Sequence, residues 1–170
     1  MNLEMKNIKH FASGSEETYC YTATVYLDGK PFSLVSNDGH GGCDRDYSHN
    51  KFKGDYRESM KKIDDYFKSL PNTDVGKYKS IPEGFEQSFE RWCSEQVTNF
   101  LYKKEVKSAL RKHKVVYRKK DDGKMGLYDY NIRYESESLK RHFPDAVILN
   151  DLPIDEAIKI WRGHFDDYEV

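Results

Sequence analysis

Long apolar runs are missing from this chain of 170 residues. The longest are stretches such as AVIL at 146–149, far short of the ~20 apolar residues that carry a helix across a bilayer. The opening segment MNLEMKNIKHF lacks the apolar stretch of a secretory leader. Cysteine is scarce too: Cys20, Cys43 and Cys93 make an odd set of 3 with no spaced framework, which points away from a disulfide scaffold and towards reduced thiols. No internal repeat or low-complexity segment stands out. Leu, Ile, Val and Phe together number only 36, close to the level at which a chain can fail to fold. Tyrosine fills the gap. The 13 Tyr and 2 Trp bury area while keeping a polar handle, and a net charge of −1 gives no self-repulsion to hold the chain open. At this length folding removes roughly 70% of the unfolded surface from water, so one domain with a real core is expected, with a subdivision near 71–81 as the alternative.

Charge is balanced overall but not evenly spread. Residues 1–85 carry 12 basic and 13 acidic side chains, 86–102 carry 1 and 3, 103–120 carry 9 and 1, and 121–170 carry 6 and 12. A basic stretch sits between acidic neighbours, so net charge says little about its partner.

The segment TYCYTATVYLDGKPFSLVSN reads as a β-hairpin over about 18–36 turning at Asp28-Gly29, a dipeptide that accepts positive φ at both central positions. Pairing Leu27 with Lys30 sets Tyr26 opposite Pro31, Val25 opposite Phe32, Thr24 opposite Ser33, Ala23 opposite Leu34 and Cys20 opposite Asn37, with the apolar residues on one face. Residues 38–53 have no periodicity and read as a loop. In DYRESMKKIDDYFKSLP, the residues Tyr56, Met60, Ile63, Phe67 and Leu70 trace a helical stripe ended by Pro71. A second helix is expected from Pro82 and Glu83 through Phe85, Phe89, Trp92 and Phe100, a stripe read as core, then on through Val106 and Leu110, either continuous or broken near Tyr102. A second hairpin, about 114–132, turns at Asp122-Gly123; pairing Asp121 with Lys124 sets Tyr117 opposite Tyr128 and Val115 opposite Tyr130. A short helix around Ser138–Phe143, a buried strand AVILN and a helix from Pro153 with Ile154, Ala157, Ile158 and Trp161 on one face follow, and the tail HFDDYEV reads as a solvated end. Hairpins among three or four helices predict an α+β fold.

Candidate chemistry concentrates in SNDGHGGCDRDYSHN, residues 36–50. Its glycines match neither the P-loop nor the dinucleotide fingerprint, because no lysine follows the last glycine and the helix starts about a dozen residues too late. Cys20, His40, Cys43 and His49 are the nitrogen and sulfur set that zinc would take if they converged. His40 or His49 with Asp38, Asp44 or Asp46 would supply a general base and carboxylates for a metal-dependent nuclease or hydrolase. No second acid cluster marks a partner, and no motif calls for a cofactor. The loop is also a contact surface through Asp38, His40 and Arg45. The strongest electrostatic feature is KKEVKSALRKHKVVYRKK, where Lys103, Lys104, Lys107, Arg111 and Lys114 form one helical stripe that Arg118, Lys119 and Lys120 extend onto the hairpin. Such cations release counterions when they neutralise phosphates, and Tyr117, Tyr128 and Tyr130 would offer stacking surfaces for unpaired bases. Alternatively the stripe is a solvated face balanced by the acidic C-terminal third.

Three stretches, IKHFASGSEETYCYTATVYLDGKPF at 8–32, SNDGHGG at 36–42 and AVILNDLPIDEAIKIW at 146–161, resemble a group of small accessory proteins encoded by bacteriophages and prophages. In that group a hairpin opening with an S-E-E-T-like run leads into an N-D-G-x-G-G loop, and the chain ends in a strand, L-N-x-L-P and a helix. The resemblance covers roughly the first 45 and last 60 residues and carries no catalytic residues. It implies a protein in the cytoplasm of a bacterial host that acts by binding host proteins or blocking host defences. The expected function is therefore non-enzymatic binding of a host protein or protein–nucleic acid complex, inhibiting a defence system or host enzyme. The alternatives are a nucleic-acid-binding module built on 103–120 and a metal-dependent enzyme centred on 38–49.

Overall fold

The computed structural model describes residues 1–77, 80–120 and 123–166, and the chain divides into two compact units, Met1–Thr98 and Asn99–Val170. The loop after the first helix belongs to the first unit, and the division falls at Thr98–Asn99. Architecture is α+β, with antiparallel sheets of 4 and 3 strands and helices α1 (Tyr56–Lys68), α2 (Phe89–Lys112), α3 (Ser136–His142) and α4 (Ile154–Asp166). Among the described residues no helix is long and apolar enough to cross a membrane. The Asp121-Asp122 part of the predicted second turn and the tail at 167–170 lie outside the described residues.

The first sheet has the order β1 (Leu3–His10), β2 (Tyr21–Leu27), β3 (Lys30–Asn37), β4 (Arg45–Ser48). The turn is where its composition puts it, with Asp28 at φ 48° and Gly29 at φ 80°. Beyond it the predicted pairing fails by one residue. Tyr26 opposes Pro31 as expected, but Val25 opposes Ser33, Thr24 opposes Leu34, Ala23 opposes Val35 and Tyr21 opposes Asn37. Phe32 is the extra residue of a β-bulge, placed next to a proline that has no N–H to give the ladder. A one-residue slip exchanges the faces of a strand. Leu34 is thus 45% exposed, while Ser33 and Asn37, at 0% and 8%, join Val35 among the buried residues. β1 and β4 were not foreseen: β1 has weak alternation and a break at Asn7, where φ is 56°, and the four residues of β4 are all exposed.

α1 begins at Asp55, whose carboxylate accepts the Glu58 N–H at 3.0 Å, and buries Ile63 and Phe67. Tyr56 at its start packs its ring 5.0 Å from that of Phe32 on β3. α2 starts at Phe89 and not at Pro82, because Ser88 caps it by accepting the Arg91 N–H, while Phe85 is held in an extended bridge to Thr73. Phe67 and Phe89 flank Trp92 at ring separations of 6.4 and 6.0 Å. Fully buried side chains such as Phe32, Val25, Val35 and Ile63 each contribute about 1.5–3 kcal/mol by leaving water.

In the second unit α2 runs unbroken past Tyr102 into β5 (His113–Lys119), which pairs with β6 (Met125–Asn131) and with the two-residue β7 (Val147–Ile148). Of the predicted strand AVILN, Leu149 and Asn150 belong instead to a 3-10 turn, Leu149–Asp151. The hairpin register is again displaced by one: Tyr117 opposes Leu127, Val116 opposes Tyr128, Val115 opposes Asp129 and Lys114 opposes Tyr130. Lys120 donates to the Lys124 carbonyl, so the connection is one residue longer than a two-residue turn. Both faces of this sheet are covered. Val115 packs with Val106, Leu149, Ala157 and Trp161, and Val116 packs with Leu139 and Ile148.

The join between α2 and β5 is closed by one side chain. Asn150 donates from Nδ2 to the carbonyls of Leu110 and His113, each at 2.9 Å, and accepts the Val115 N–H through Oδ1 at 2.8 Å. Backbone groups left without an intrahelical partner at a helix end are thereby satisfied. Each bond is worth about 1 kcal/mol, more when a buried partner is orphaned. Asn150→Ala is expected to lower the unfolding free energy by about 2–4 kcal/mol, measured by urea denaturation.

Candidate functional site

The polar face created by the bulge builds a cavity of about 460 Å³ in the first unit, lined by residues including Glu16, Glu17, Thr18, Tyr21, Asn37, Asp44, Glu90 and Val97. Asn37 is its organiser. Oδ1 accepts from the Thr18 hydroxyl and the Gly39 N–H, both at 2.8 Å; Nδ2 donates to the Gly42 carbonyl at 2.8 Å and to Asp44 Oδ1 at 3.0 Å. All four hydrogen-bonding positions of the amide are used. In return the Gly39 carbonyl accepts the N–H groups of Glu16, Glu17 and Thr18 at 3.0–3.2 Å. The S-E-E-T run and the N-D-G-x-G-G loop are therefore two halves of one lock. Gly39 sits at φ 89°, and a Cβ there would lie 1.9 Å from the Gly14 carbonyl oxygen.

Two tyrosine–aspartate pairs tie β4 to this lock and to α1. Tyr21 donates to Asp44 and Tyr56 to Asp46, both at 2.5 Å, and the Ser33 hydroxyl lies 2.8 Å from the Tyr56 oxygen. The Asp44 N–H reaches across to Glu90 Oε1 at 3.0 Å. Burial pushes the Asp44 carboxyl above its ordinary range, with Glu90 and Asp46 adding repulsion that the bonds from Tyr21 and Asn37 only partly offset. Burial, reinforced by the adjoining aspartates, also pushes up the Tyr21 and Tyr56 phenols and the Cys93 thiol. Those directions favour neutral, unreactive groups, the opposite of what an activated nucleophile requires. The described cavity lining carries four carboxylates and no lysine or arginine, an environment that repels phosphate.

The predicted zinc set does not assemble. Cys20 packs against Gly14 and is displaced by Tyr21 as the residue opposite Asn37; Cys43 is exposed; His40 meets Glu16 at 3.1 Å; His49 Nδ1 accepts the Lys51 N–H. Among the described residues no three His, Cys, Asp or Glu side chains are placed to hold a metal ion. Of the loop's contact candidates, Asp38 and Arg45 pair with each other at 2.7 Å on the surface, the kind of exposed ion pair worth about 0–1 kcal/mol.

The basic segment is divided by the geometry of the strand. Lys103, Lys104, Lys107 and Arg111 are exposed on α2, with Lys103 3.2 Å from Asp155. Successive residues of β5 alternate sides, so Lys114 and Arg118 point with Val116 to the α3 side, away from the face packed with α2 and α4. Lys114 approaches the Ser136 hydroxyl at 3.5 Å. Arg118 lies over the rings of Tyr128 at 4.1 Å and Phe143 at 4.4 Å. Tyr117 packs in the core beside α2, and Tyr130 packs with Phe143. The tyrosines expected to stack on bases are engaged within the fold. What remains is Lys104, Lys107 and Arg111 around a groove of about 450 Å³ whose apolar lining comes from Leu110 and Ile154.

No family model, curated protein or solved structure matches the chain. Sequence reasoning offered Asp44 as a carboxylate for a metal-dependent hydrolase and Asn37 as the residue opposite Cys20, named Thr18 only within a motif, and missed Tyr21, Glu90 and Asn150 as organising residues. Asn37 carried the signal of an Asx residue before glycines, whereas nothing local links Glu90 to a loop 46 residues earlier.

Gly39→Ala is expected to destabilise the first unit by at least about 2 kcal/mol, since the conformation and the clash both oppose it, read as loss of amide-exchange protection at Glu16–Thr18. Asp44 has a distinct pH signature. Its folded pKa is raised, so the native state takes up a proton before the unfolded state does, and stability from this group rises as pH falls towards the unfolded value of about 3.9. The difference in unfolding free energy between the natural protein and Asp44→Asn should grow in favour of the natural protein as pH is lowered from 7 to 4.

Proposed function

We propose that this protein acts by stoichiometric binding and not by turnover, through the exposed cation face of α2, and that its target is an acidic surface on a bacterial host protein. One observation carries the reading: Lys104, Lys107 and Arg111 surround a partly apolar groove, and no carboxylate among the described residues pairs with them. An unpaired cation set around an apolar floor suits a partner that presents carboxylates beside a hydrophobic anchor. The resemblance to phage accessory proteins supports the same reading, with inhibition of a defence system or host enzyme as its outcome. The engaged tyrosines and the unreactive phenols and thiol of the first unit support it against the nucleic-acid and hydrolase alternatives.

The test compares the natural protein with a Lys104→Glu, Lys107→Glu, Arg111→Glu variant. Affinity capture from bacterial cells at 150 mM salt should retain a host protein with the first and lose it with the second, while labelled single-stranded and duplex oligonucleotides stay unbound. Salt-dependent oligonucleotide binding with a log–log slope of about −3, abolished in the variant, would replace the protein partner by nucleic acid, since three phosphate contacts give roughly that slope.

A further inference from the structure

Arg118 and its surroundings form a second site, on the opposite side of the second sheet from the α2 groove. We infer that the pocket at Arg118 binds an oxyanion, a carboxylate or phosphate monoester, carried on an apolar group. The guanidinium is half-buried and fixed between two rings, 4.1 Å from the Tyr128 centroid and 4.4 Å from that of Phe143. Stacking of this kind offsets desolvation of the charge and locks the planar donor fork in one orientation. Yet its pairing is incomplete. Nη1 donates to the Lys119 carbonyl at 3.1 Å, Nε is buried without a partner, and no carboxylate among the described residues forms an ion pair with it.

A cavity of about 390 Å³ opens beside this group, and His142 adds to its polar side. His142 Nδ1 donates to the Ser138 carbonyl at 3.1 Å, which leaves its Nε2 free to serve a ligand. Asp145 supplies the one carboxylate among the described lining residues. Its remaining wall is apolar, from Met125, Phe143, Pro144 and Ala146. A rigid arginine fork is the side chain best matched to the two oxygens of a carboxylate or phosphate. The apolar wall then selects what the anion is attached to. A surface cation for which solvent is the only partner needs neither two stacked rings nor a cavity beside it.

This site is independent of the α2 groove and has its own test. The buried Nε–H of Arg118 should exchange slowly and give an observable nitrogen–proton NMR resonance. Phenyl phosphate, benzoate, inorganic phosphate and benzyl alcohol are titrated into the full chain. Saturable shifts of that resonance and of the Ala146 amide are expected with phenyl phosphate or benzoate; the tighter of the two identifies the anion, and inorganic phosphate should bind more weakly. Arg118→Lys keeps the charge but not the fork and should weaken binding by roughly tenfold or more. Because that change can also disturb packing, His142→Ala, at an exposed position, should weaken the same anion while leaving the thermal midpoint unchanged. The α2 triple variant should bind as the natural protein does. Equal binding of benzyl alcohol, inorganic phosphate as tight as phenyl phosphate, or no saturable shift with any anion overturns the assignment.

Discussion

A proline cannot donate to a β-ladder, and at Pro31 the pairing of β2 with β3 absorbs Phe32 as one extra residue. Almost everything distinctive about the first unit depends on that step. It turns Ser33, Val35 and Asn37 inward and leaves Leu34 outside. Buried polar side chains must find partners, and these two do so by recruiting the rest of the loop. Ser33 meets Tyr56 and the Tyr47 carbonyl; Asn37 gathers Thr18, Gly39, Gly42 and Asp44. Without the slip Leu34 and Ser36 would face inward in place of Ser33, Val35 and Asn37, and the loop would lose the amide on which it closes.

The consequence is that a glycine-, histidine- and aspartate-rich segment with the look of a reaction centre is spent on architecture. Its amide, its turn carbonyl and both of its inner aspartates have partners within the unit. The second conspicuous motif, the asparagine in ILNDLP, has the same kind of role: Asn150 closes the α2–β5 join through three backbone bonds. Motifs that would identify a group of related chains need not mark its chemistry. Here each sits where the backbone has polar groups to satisfy and no regular ladder to satisfy them.

The basic residues of the second unit are divided by the fold. They fall into two sets because a helix displays residues three and four apart on one side while a strand sends neighbours to opposite sides. Lys104, Lys107 and Arg111 stay on the helix surface; Arg118, seven residues beyond Arg111 in the chain, is carried across the sheet and stacked between rings. One apparent basic stripe thus becomes two separate sets of cations in different surroundings.

Local chemistry alone determined the α+β class, the positive-φ turn at Asp28-Gly29, the inward stripe of Ile63 and Phe67 on α1, and that of Ala157 and Trp161 on α4. Each depends on residues within a few positions of one another, where periodicity and backbone preference act directly. The tertiary structure decided the rest. The bulge at Phe32, the pairing of β1 and β4, the bridge to Thr73 that keeps Phe85 out of α2, the failure of Cys20, His40, Cys43 and His49 to converge, and the sides taken by Lys114 and Arg118 all follow from pairing between distant segments. A slip of one residue costs little in local preference, yet it exchanges every inward side chain for an outward one, so only packing against the rest of the fold can select the register.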